Sequence, residues 1–208
     1  MQDTLRLFIA IELSAEIHKN LAEAVRLLRI DSGTGISWVK PENIHLTLKF
    51  LGDTPRVKIP AITQTLTQKM NQCAQCAPFN LTVRGTGCFP SPRQPRVLWV
   101  GVEAPEELND LQQAVEKALL PLDIPNEKRP FSPHLTLARI NNAAESIVQN
   151  KYQQLLTYRE SNFGQMSAEY LTLFQSTLAR TGSIYTPLAR IPLNQMDESM
   201  LKSTQKLR

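Results

Sequence analysis

The tetrapeptide His-Leu-Thr-Leu occurs twice in this chain, at residues 45–48 and again at residues 134–137. The chain has only three histidines, and two of them lie in this repeat. Side chains alternate between the faces of a β-strand, so each copy places its histidine and threonine on one face, roughly 7 Å apart, and its leucines on the other. Each copy therefore offers one imidazole and one hydroxyl on a strand that its leucines can anchor in a core.

Two imidazoles that face each other across a cleft are suited to acid–base chemistry on a phosphodiester. A histidine pKa near about 6.5 lets one of His45 and His134 accept a proton while the other donates one. The hydroxyls of Thr47 and Thr136 can hold non-bridging phosphate oxygens, as cleavage requires. A zinc site would need three or four ligands, and the sequence places no third ligand beside either motif. We therefore expect no metal, and we assign His18 no role.

The repeat extends well beyond the tetrapeptide. Residues 7–13 match residues 98–104 in kind at an offset of 91, and the runs around Leu81 and Leu171 match at an offset of 90, whereas the tetrapeptides lie 89 apart. Apolar residues at helical spacing separate these strands in both halves. The pattern predicts an α+β fold, in which two pseudo-twofold-related lobes of the βαβαβ type, from halves at about 5–90 and 96–180, enclose a central cleft.

Other segments complete the predicted organisation of one domain over residues 1–193. The stretch 85–96 is rich in glycine and proline and is predicted to be a loop. Residues 185–193 can form a last strand. Residues 194–208 are polar and are predicted to form a frayed tail.

Composition narrows the class of protein. The net charge is +4 and the isoelectric point about 9.0, which is compatible with a phosphate-bearing partner. No apolar run reaches the roughly 18 residues of a membrane span, and the N-terminal apolar run lacks the basic region of a signal peptide. The three cysteines include one C-x-x-C, at Cys73 and Cys76. We expect no disulfide framework, no zinc, and a monomer in the reducing cytoplasm.

The duplicated motifs resemble those of the 2H phosphoesterases. More closely, "RLFIAIEL", "NIHLTLKFLG" and "RPFSPHLTLAR" are similar to the RNA 2′,3′-cyclic phosphodiesterase family, once called 2′-5′ RNA ligase. The resemblance runs from about Leu5 to Leu193, which is nearly the whole chain. It implies a bilobal fold and hydrolysis of terminal RNA 2′,3′-cyclic phosphates to 2′-phosphomonoesters, with no metal or cofactor.

The resemblance also implies a role for each motif residue. His45 would be the proton donor to the departing 3′-oxygen, and His134 the acceptor that activates water. Thr47 and Thr136 match the phosphate-binding threonines of the family. Arg139, which follows the second motif, would contact the phosphate or the ribose.

Two other functions fit the same residues. A 2′-5′ RNA ligase would join a cyclic phosphate end to a 5′-hydroxyl by the reverse chemistry, and a non-catalytic module would bind the nucleotide without turnover. Both motif histidines are present, which favours an enzyme. With one imidazole charged and the other neutral, we expect a bell-shaped pH dependence with a maximum at or slightly above about 6.5.

Overall fold

A computed structural model of the chain describes residues 3–103, 105–179 and 182–194. It has nine strands and four α-helices in these ranges: β1 (Thr4–Ile11), α1 (Ala15–Arg29), β2 (Ile36–Trp38), β3 (Leu46–Pro55), α2 (Ile59–Gln72), β4 (Phe79–Ser91), β5 (Gln94–Glu103), α3 (Glu106–Leu119), β6 (His134–Ile140), α4 (Glu145–Leu156), β7 (Asn162–Ala168), β8 (Tyr170–Ala179) and β9 (Gly182–Pro192). No helix in these ranges is long and apolar enough to cross a membrane.

The helices form where the apolar spacing predicts them. Helix α1 begins after Ser14, whose hydroxyl accepts a hydrogen bond from the backbone N–H of Ile17 (3.3 Å) and so caps the helix. Its apolar stripe is buried, as are the stripes of α2 and α3. The last predicted strand is also present as β9. The polar tail predicted from residue 194 lies outside the described residues, apart from Asn194.

The strands form two antiparallel sheets. One has four strands in the order β3-β1-β8-β9, and the other has five in the order β2-β6-β5-β4-β7. Helices α2 and α3 contact the four-stranded sheet at β9 and β3, whereas α1 and α4 contact the five-stranded sheet at β7, β4 and β5. The predicted α+β architecture, with one motif strand in each of two lobes, is confirmed.

The two lobes do not coincide with the two halves of the repeat. The third strand of the first half, β4, pairs with β5 of the second half, and the third strand of the second half, β8, pairs with β1 of the first. The first helices are exchanged in the same way, because α1 packs on the five-stranded sheet and α3 on the four-stranded one. Each lobe therefore depends on both halves of the chain.

The prediction of a loop at residues 85–96 is wrong. Strands β4 and β5 run through this stretch and leave only Pro92 and Arg93 between them as a tight turn. The pairing of β4 with β5 is irregular between Val83 and Thr86 and between Phe89 and Pro90. Such bulges let both strands continue past residues that do not fit regular pairing. Gly87 serves packing here, since a Cβ atom at this position would lie 2.4 Å from the ring of Trp99.

The sequence does not predict the one disulfide that the structure contains. Cys73 and Cys76 form a disulfide at the end of α2, and Cys88 is free and buried. The turn that ends the helix holds the Cα atoms of the pair 5.2 Å apart, which suits a disulfide. Asn194 ties this turn to the end of β9 through hydrogen bonds to the carbonyl oxygens of both cysteines (2.9 and 3.2 Å).

Candidate active site

The two motif strands face each other across a cleft between the sheets. The cleft has a volume of about 420 Å³, and its lining includes all five residues predicted for the site: His45, Thr47, His134, Thr136 and Arg139. In one sheet, Thr47 lies in β3 and His45 immediately precedes that strand; in the other, His134 and Thr136 both lie in β6. The leucines of both motifs are buried in the core, so each strand is held rigidly from behind.

A backbone carbonyl two residues earlier orients each imidazole. Nδ1 of His45 donates to the carbonyl oxygen of Asn43 (2.7 Å), and Nδ1 of His134 donates to that of Ser132 (2.7 Å). A carbonyl oxygen can only accept, so Nδ1 carries the hydrogen in both rings. Nε2 is therefore the nitrogen that gains and loses a proton in each imidazole, and the two rings are equivalent in this respect.

The short turn before His45 is fixed by contacts from both lobes. His18 on α1 donates from Nδ1 to the carbonyl oxygen of Pro41 (2.8 Å), at the start of this turn. The side chain of Asn43 donates to the carbonyl oxygen of Ser183 on β9 (2.8 Å). His18, which sequence reasoning left without a role, thus helps to hold the segment that presents His45.

Aromatic rings surround His45. Phe8 stacks on the imidazole with ring centroids 4.7 Å apart, and Tyr185 meets its edge at 5.2 Å. Phe8 in turn stacks on Phe174 at 5.1 Å, and this small cluster lies apart from the main core. His134 has a lighter cover, from the edge of Phe89 at 5.0 Å. Water therefore reaches the two imidazoles to different extents.

In the strand pairing of the two sheets, equivalent residues of the two lobes lie 89 positions apart in the sequence. Thr47 pairs with Ala10, and Thr136 pairs with Trp99. This differs by two residues from the offset of 91 at which the first strands match in sequence. A slip of two residues keeps every side chain on the same face, so the sequence pattern cannot distinguish the two registers.

A bulge after each threonine carries a further side chain into the cleft. Simple alternation puts Phe50 and Arg139 on the faces away from the motif histidines. An extra residue, Leu48 in β3 and Leu137 in β6, shifts the pairing after each threonine. Phe50 and Arg139 consequently join the cleft lining at equivalent positions, 89 residues apart.

A family model described as the 2′-5′ RNA ligase superfamily matches residues 11–175. The chain belongs to this superfamily. The RNA 2′,3′-cyclic phosphodiesterase of Archaeoglobus fulgidus is 32% identical over 184 residues, which cover 88% of this chain and 98% of that protein. These matches confirm the resemblance seen in the motif sequences.

Two solved structures share the fold closely. The crystal structure of TT0787 of Thermus thermophilus has a TM-score of 0.74 and 31% sequence identity, with 93% of this chain and 100% of that chain covered. The crystal structure of E. coli LigT complexed with 3′-AMP has a TM-score of 0.71 and 28% identity, with 93% and 100% covered. The bilobal fold of this superfamily member is thus shared over nearly its whole length.

The electrostatics of the cleft differ between the two imidazoles of this superfamily member. Burial lowers the pKa of His45 to about 4; the bond to the Asn43 carbonyl opposes this effect, and the positive charge of Arg139 reinforces it. Burial also lowers the pKa of His134, again opposed by its carbonyl bond and reinforced by Arg139. With the cleft empty, His45 is therefore neutral at pH 7.

Volume alone does not single out this cleft. A second cavity of about 410 Å³ lies beside the start of α1. Among the described residues, its lining holds three carboxylates, at Glu12, Glu16 and Glu169, and no imidazole. Its guanidinium, Arg190, is already engaged by Glu12 (3.3 Å) and by the ring of Tyr170 (4.2 Å). The motif cleft is distinguished instead by paired imidazoles, hydroxyls and an exposed guanidinium within one lining.

Several residues that the sequence motifs do not predict also line the cleft. Arg6, Phe8, Phe50 and Tyr185 all contribute to its lining. Arg6 and Phe8 lie two residues apart on β1 and so share a face, which is a signal that the sequence contains. Phe50 reaches the cleft only through the bulge, and no feature of its sequence neighbourhood predicts that.

Proposed function

We propose that this protein hydrolyses RNA 2′,3′-cyclic phosphate ends to 2′-phosphomonoesters by acid–base catalysis with His45 and His134. The observation that carries the proposal is the pair of equivalent imidazoles in one cleft, each with Nδ1 bound to a backbone carbonyl and each accompanied by a threonine. The names of the relatives add support, since the Archaeoglobus protein is called RNA 2′,3′-cyclic phosphodiesterase and LigT was crystallised with 3′-AMP.

In the proposed reaction a water molecule attacks the phosphorus opposite the 3′-oxygen. Nε2 of His134 accepts a proton from this water as the new P–O bond forms. Nε2 of His45 donates a proton to the 3′-oxygen as the old P–O bond breaks. The product is a 2′-phosphomonoester with a free 3′-hydroxyl, and proton exchange with solvent restores the starting protonation states.

Thr47, Thr136 and Arg139 are proposed to hold the phosphate during this reaction. Each threonine hydroxyl can donate to one non-bridging oxygen, and the guanidinium balances the charge that develops on these oxygens. All three residues line the cleft beside the imidazoles. The proposed steps use only protein groups and water, so we propose that the reaction needs no metal.

The negative charge of the substrate favours the protonated imidazole that the donor must be. A cyclic phosphate carries one negative charge, and an anion beside an imidazole raises its pKa. Binding therefore draws one proton into the cleft. His45 starts from the lower pKa, about 4, so its assignment as donor requires the phosphate to lie close to its Nε2. The reverse assignment would place the proton on His134, and the mutant pH profiles described below distinguish the two.

One assay tests the proposed function. Purified protein is incubated with EDTA and each of the four nucleoside 2′,3′-cyclic phosphates, and the product isomers are separated by chromatography. We expect 2′-phosphates as the products. Formation of 3′-phosphates would contradict the proposed leaving group, and binding without turnover would indicate a nucleotide-binding module. Adding RNA with a 5′-hydroxyl end tests for ligation under the same conditions.

A further inference from the structure

The cleft extends well beyond the imidazoles along the four-stranded sheet. From the position of Thr47 opposite Ala10, the face of the sheet continues through Phe8, which pairs with Phe50, to Arg6. Gly52 and Leu178 also line the cleft. A cyclic phosphate held between the histidines and threonines would leave this extension open.

The extension presents the guanidinium of Arg6. Its cross-strand neighbour on β3 is Asp53, which does not line the cleft. No carboxylate in residues 3–103, 105–179 and 182–194 lies within 4.0 Å of the Arg6 guanidinium. Arg6 is exposed but lines the cleft, two residues along β1 from the Phe8 ring that stacks on His45. A guanidinium without an ion pair among the described residues, two residues along the strand from Phe8, is suited to bind a second phosphate.

Apolar side chains line the same cleft as this cation. The side chain of Phe50 is 59% exposed and that of Leu178 is 75% exposed, although both line the cleft. The ring of Phe50 lies 6.2 Å from that of Phe8, on the same sheet face. Exposed aromatic rings beside a cationic groove are the usual platform for the bases of single-stranded nucleic acid.

The two lobes differ at these positions. At the offset of 89, the motifs themselves are identical, but Phe50 corresponds to Arg139 and Arg6 corresponds to Pro95. The histidine and threonine of each motif can therefore contact the cyclic phosphate in the same way from their own lobe. Beyond the residue that follows each motif, the described lining continues on the four-stranded sheet with Arg6 and Leu178, whereas Pro95, the counterpart of Arg6, is not part of it. This difference gives a bound RNA strand one direction in which to leave the cleft.

We propose that Arg6, Phe50 and Leu178 form a subsite for the nucleotide that precedes the cyclic phosphate end, with Arg6 on its phosphodiester and its base on Phe50 and Leu178. The subsite rests on the proposed function and adds a length preference to it: a cyclic phosphate end preceded by at least one more nucleotide should be used better than a mononucleotide. Charge complementarity and continuity with the cleft both favour this occupant.

Three substrates separate the two parts of the subsite. They are a nucleoside 2′,3′-cyclic phosphate, a dinucleotide with the same terminal nucleotide, and that dinucleotide with an uncharged methylphosphonate between its nucleosides. Initial rates give kcat/KM for the wild type, Arg6→Gln and Phe50→Ala. Arg29→Gln and Val57→Ala are matched controls, because both residues are exposed and neither lines the cleft.

The wild type is expected to prefer the charged dinucleotide. Arg6→Gln should lower kcat/KM about fivefold on that substrate, the scale of an exposed ion pair, and leave the other two substrates unchanged. Phe50→Ala should lower it about tenfold on both dinucleotides, the scale of one stacked base, and not on the mononucleotide. Added salt should lower kcat/KM more steeply for the charged dinucleotide than for the methylphosphonate. The slopes of log kcat/KM against log salt concentration should differ by about 0.7, the value for one phosphate. Arg6→Gln should abolish this difference.

Turnover of the mononucleotide reports correct folding of each variant. Equal losses on the mononucleotide and the dinucleotides would overturn the subsite, because Arg6 and Phe50 would then act on the terminal nucleotide or on the fold. Equal kcat/KM of the wild type on all three substrates would overturn it as well. No turnover of any cyclic phosphate would overturn the proposed function itself, which is a different result.

Discussion

Burial of both imidazoles predicts that kcat/KM reaches its maximum at a lower pH than two ordinary histidines would give. In the catalytically active form, one of the two imidazoles is protonated and the other is neutral. Loss of this proton ends activity above the higher of the two apparent pKa values, and gain of a second proton ends it below the lower one. Because burial lowers the pKa of both His45 and His134, the whole bell moves toward acid.

The size of the displacement follows from the two pKa values. The lower limb is set by a value near the pKa of about 4 for His45, and the upper limb by His134, whose pKa lies below 6.5. The maximum of kcat/KM lies midway between the limbs, so it falls below about 6.5 rather than at or above it, as the sequence alone suggests. The bound phosphate raises both pKa values, and the kcat profile therefore lies at higher pH.

Initial rates on one nucleoside 2′,3′-cyclic phosphate, from about pH 3 to about pH 9, yield both profiles. Tyr185→Ala opens the edge of His45 to water, which should raise its pKa and move the acidic limb of kcat/KM upward. Tyr158→Ala, which changes a half-buried tyrosine outside the cleft lining, should leave the limb in place. A wild-type maximum of kcat/KM at or above about 6.5 would refute the argument from burial.

The same profiles assign the donor and the acceptor. In each single variant only one of the two motif histidines is left to titrate, and its role decides which limb remains. His45→Ala keeps the acceptor, which must be neutral, so its residual activity should show an acidic limb and no alkaline limb. His134→Ala keeps the donor, which must be protonated, so its residual activity should show an alkaline limb and no acidic limb. Exchange of these two results would reverse the assignments, and persistence of both limbs in both variants would mean that neither histidine is the acid or the base.

Two further predictions concern metal and stability. Activity should survive EDTA, because protein groups and water perform every proposed step; inactivation by EDTA with rescue by a divalent cation would contradict this mechanism. Lys49→Ala should lower the free energy of unfolding by about 3–5 kcal/mol in denaturant titrations, because it leaves Glu116, its partner at 2.5 Å, buried without a cation. Arg26→Ala, which breaks an exposed pair with Glu23, is the control and should have little effect; equal losses in both variants would contradict the argument.

The sequence predicts the site better than the connections of the fold. His45 and His134 and their threonines follow from strand alternation, and duplication implies that the two copies face each other. Alternation cannot tell which half supplies the third strand of a sheet, because β4 and β8 carry similar apolar patterns. The exchange of strands between the lobes therefore becomes visible only in the structure.

The bulges limit prediction inside the site itself. One extra residue in each motif strand turns Phe50 and Arg139 into the cleft, against the simple alternation. Arg139 was predicted for the site only through the family resemblance, and Phe50 was missed. The glycines and prolines of residues 85–96 likewise suggest a loop where the chain forms strands. Irregular pairing between β4 and β5 and the packing of Trp99 against Gly87 accommodate these residues within the sheet.

The central claim is that His45 and His134 act as one acid–base pair. Steady-state turnover of His45→Ala, His134→Ala and the double variant on one cyclic nucleotide tests it most directly. Each single change should lower kcat by about 10² or more, and the double change should cost little more than either single one, because the pair acts as a unit. Losses that multiply in the double variant, or a single variant that keeps wild-type turnover, would contradict the account.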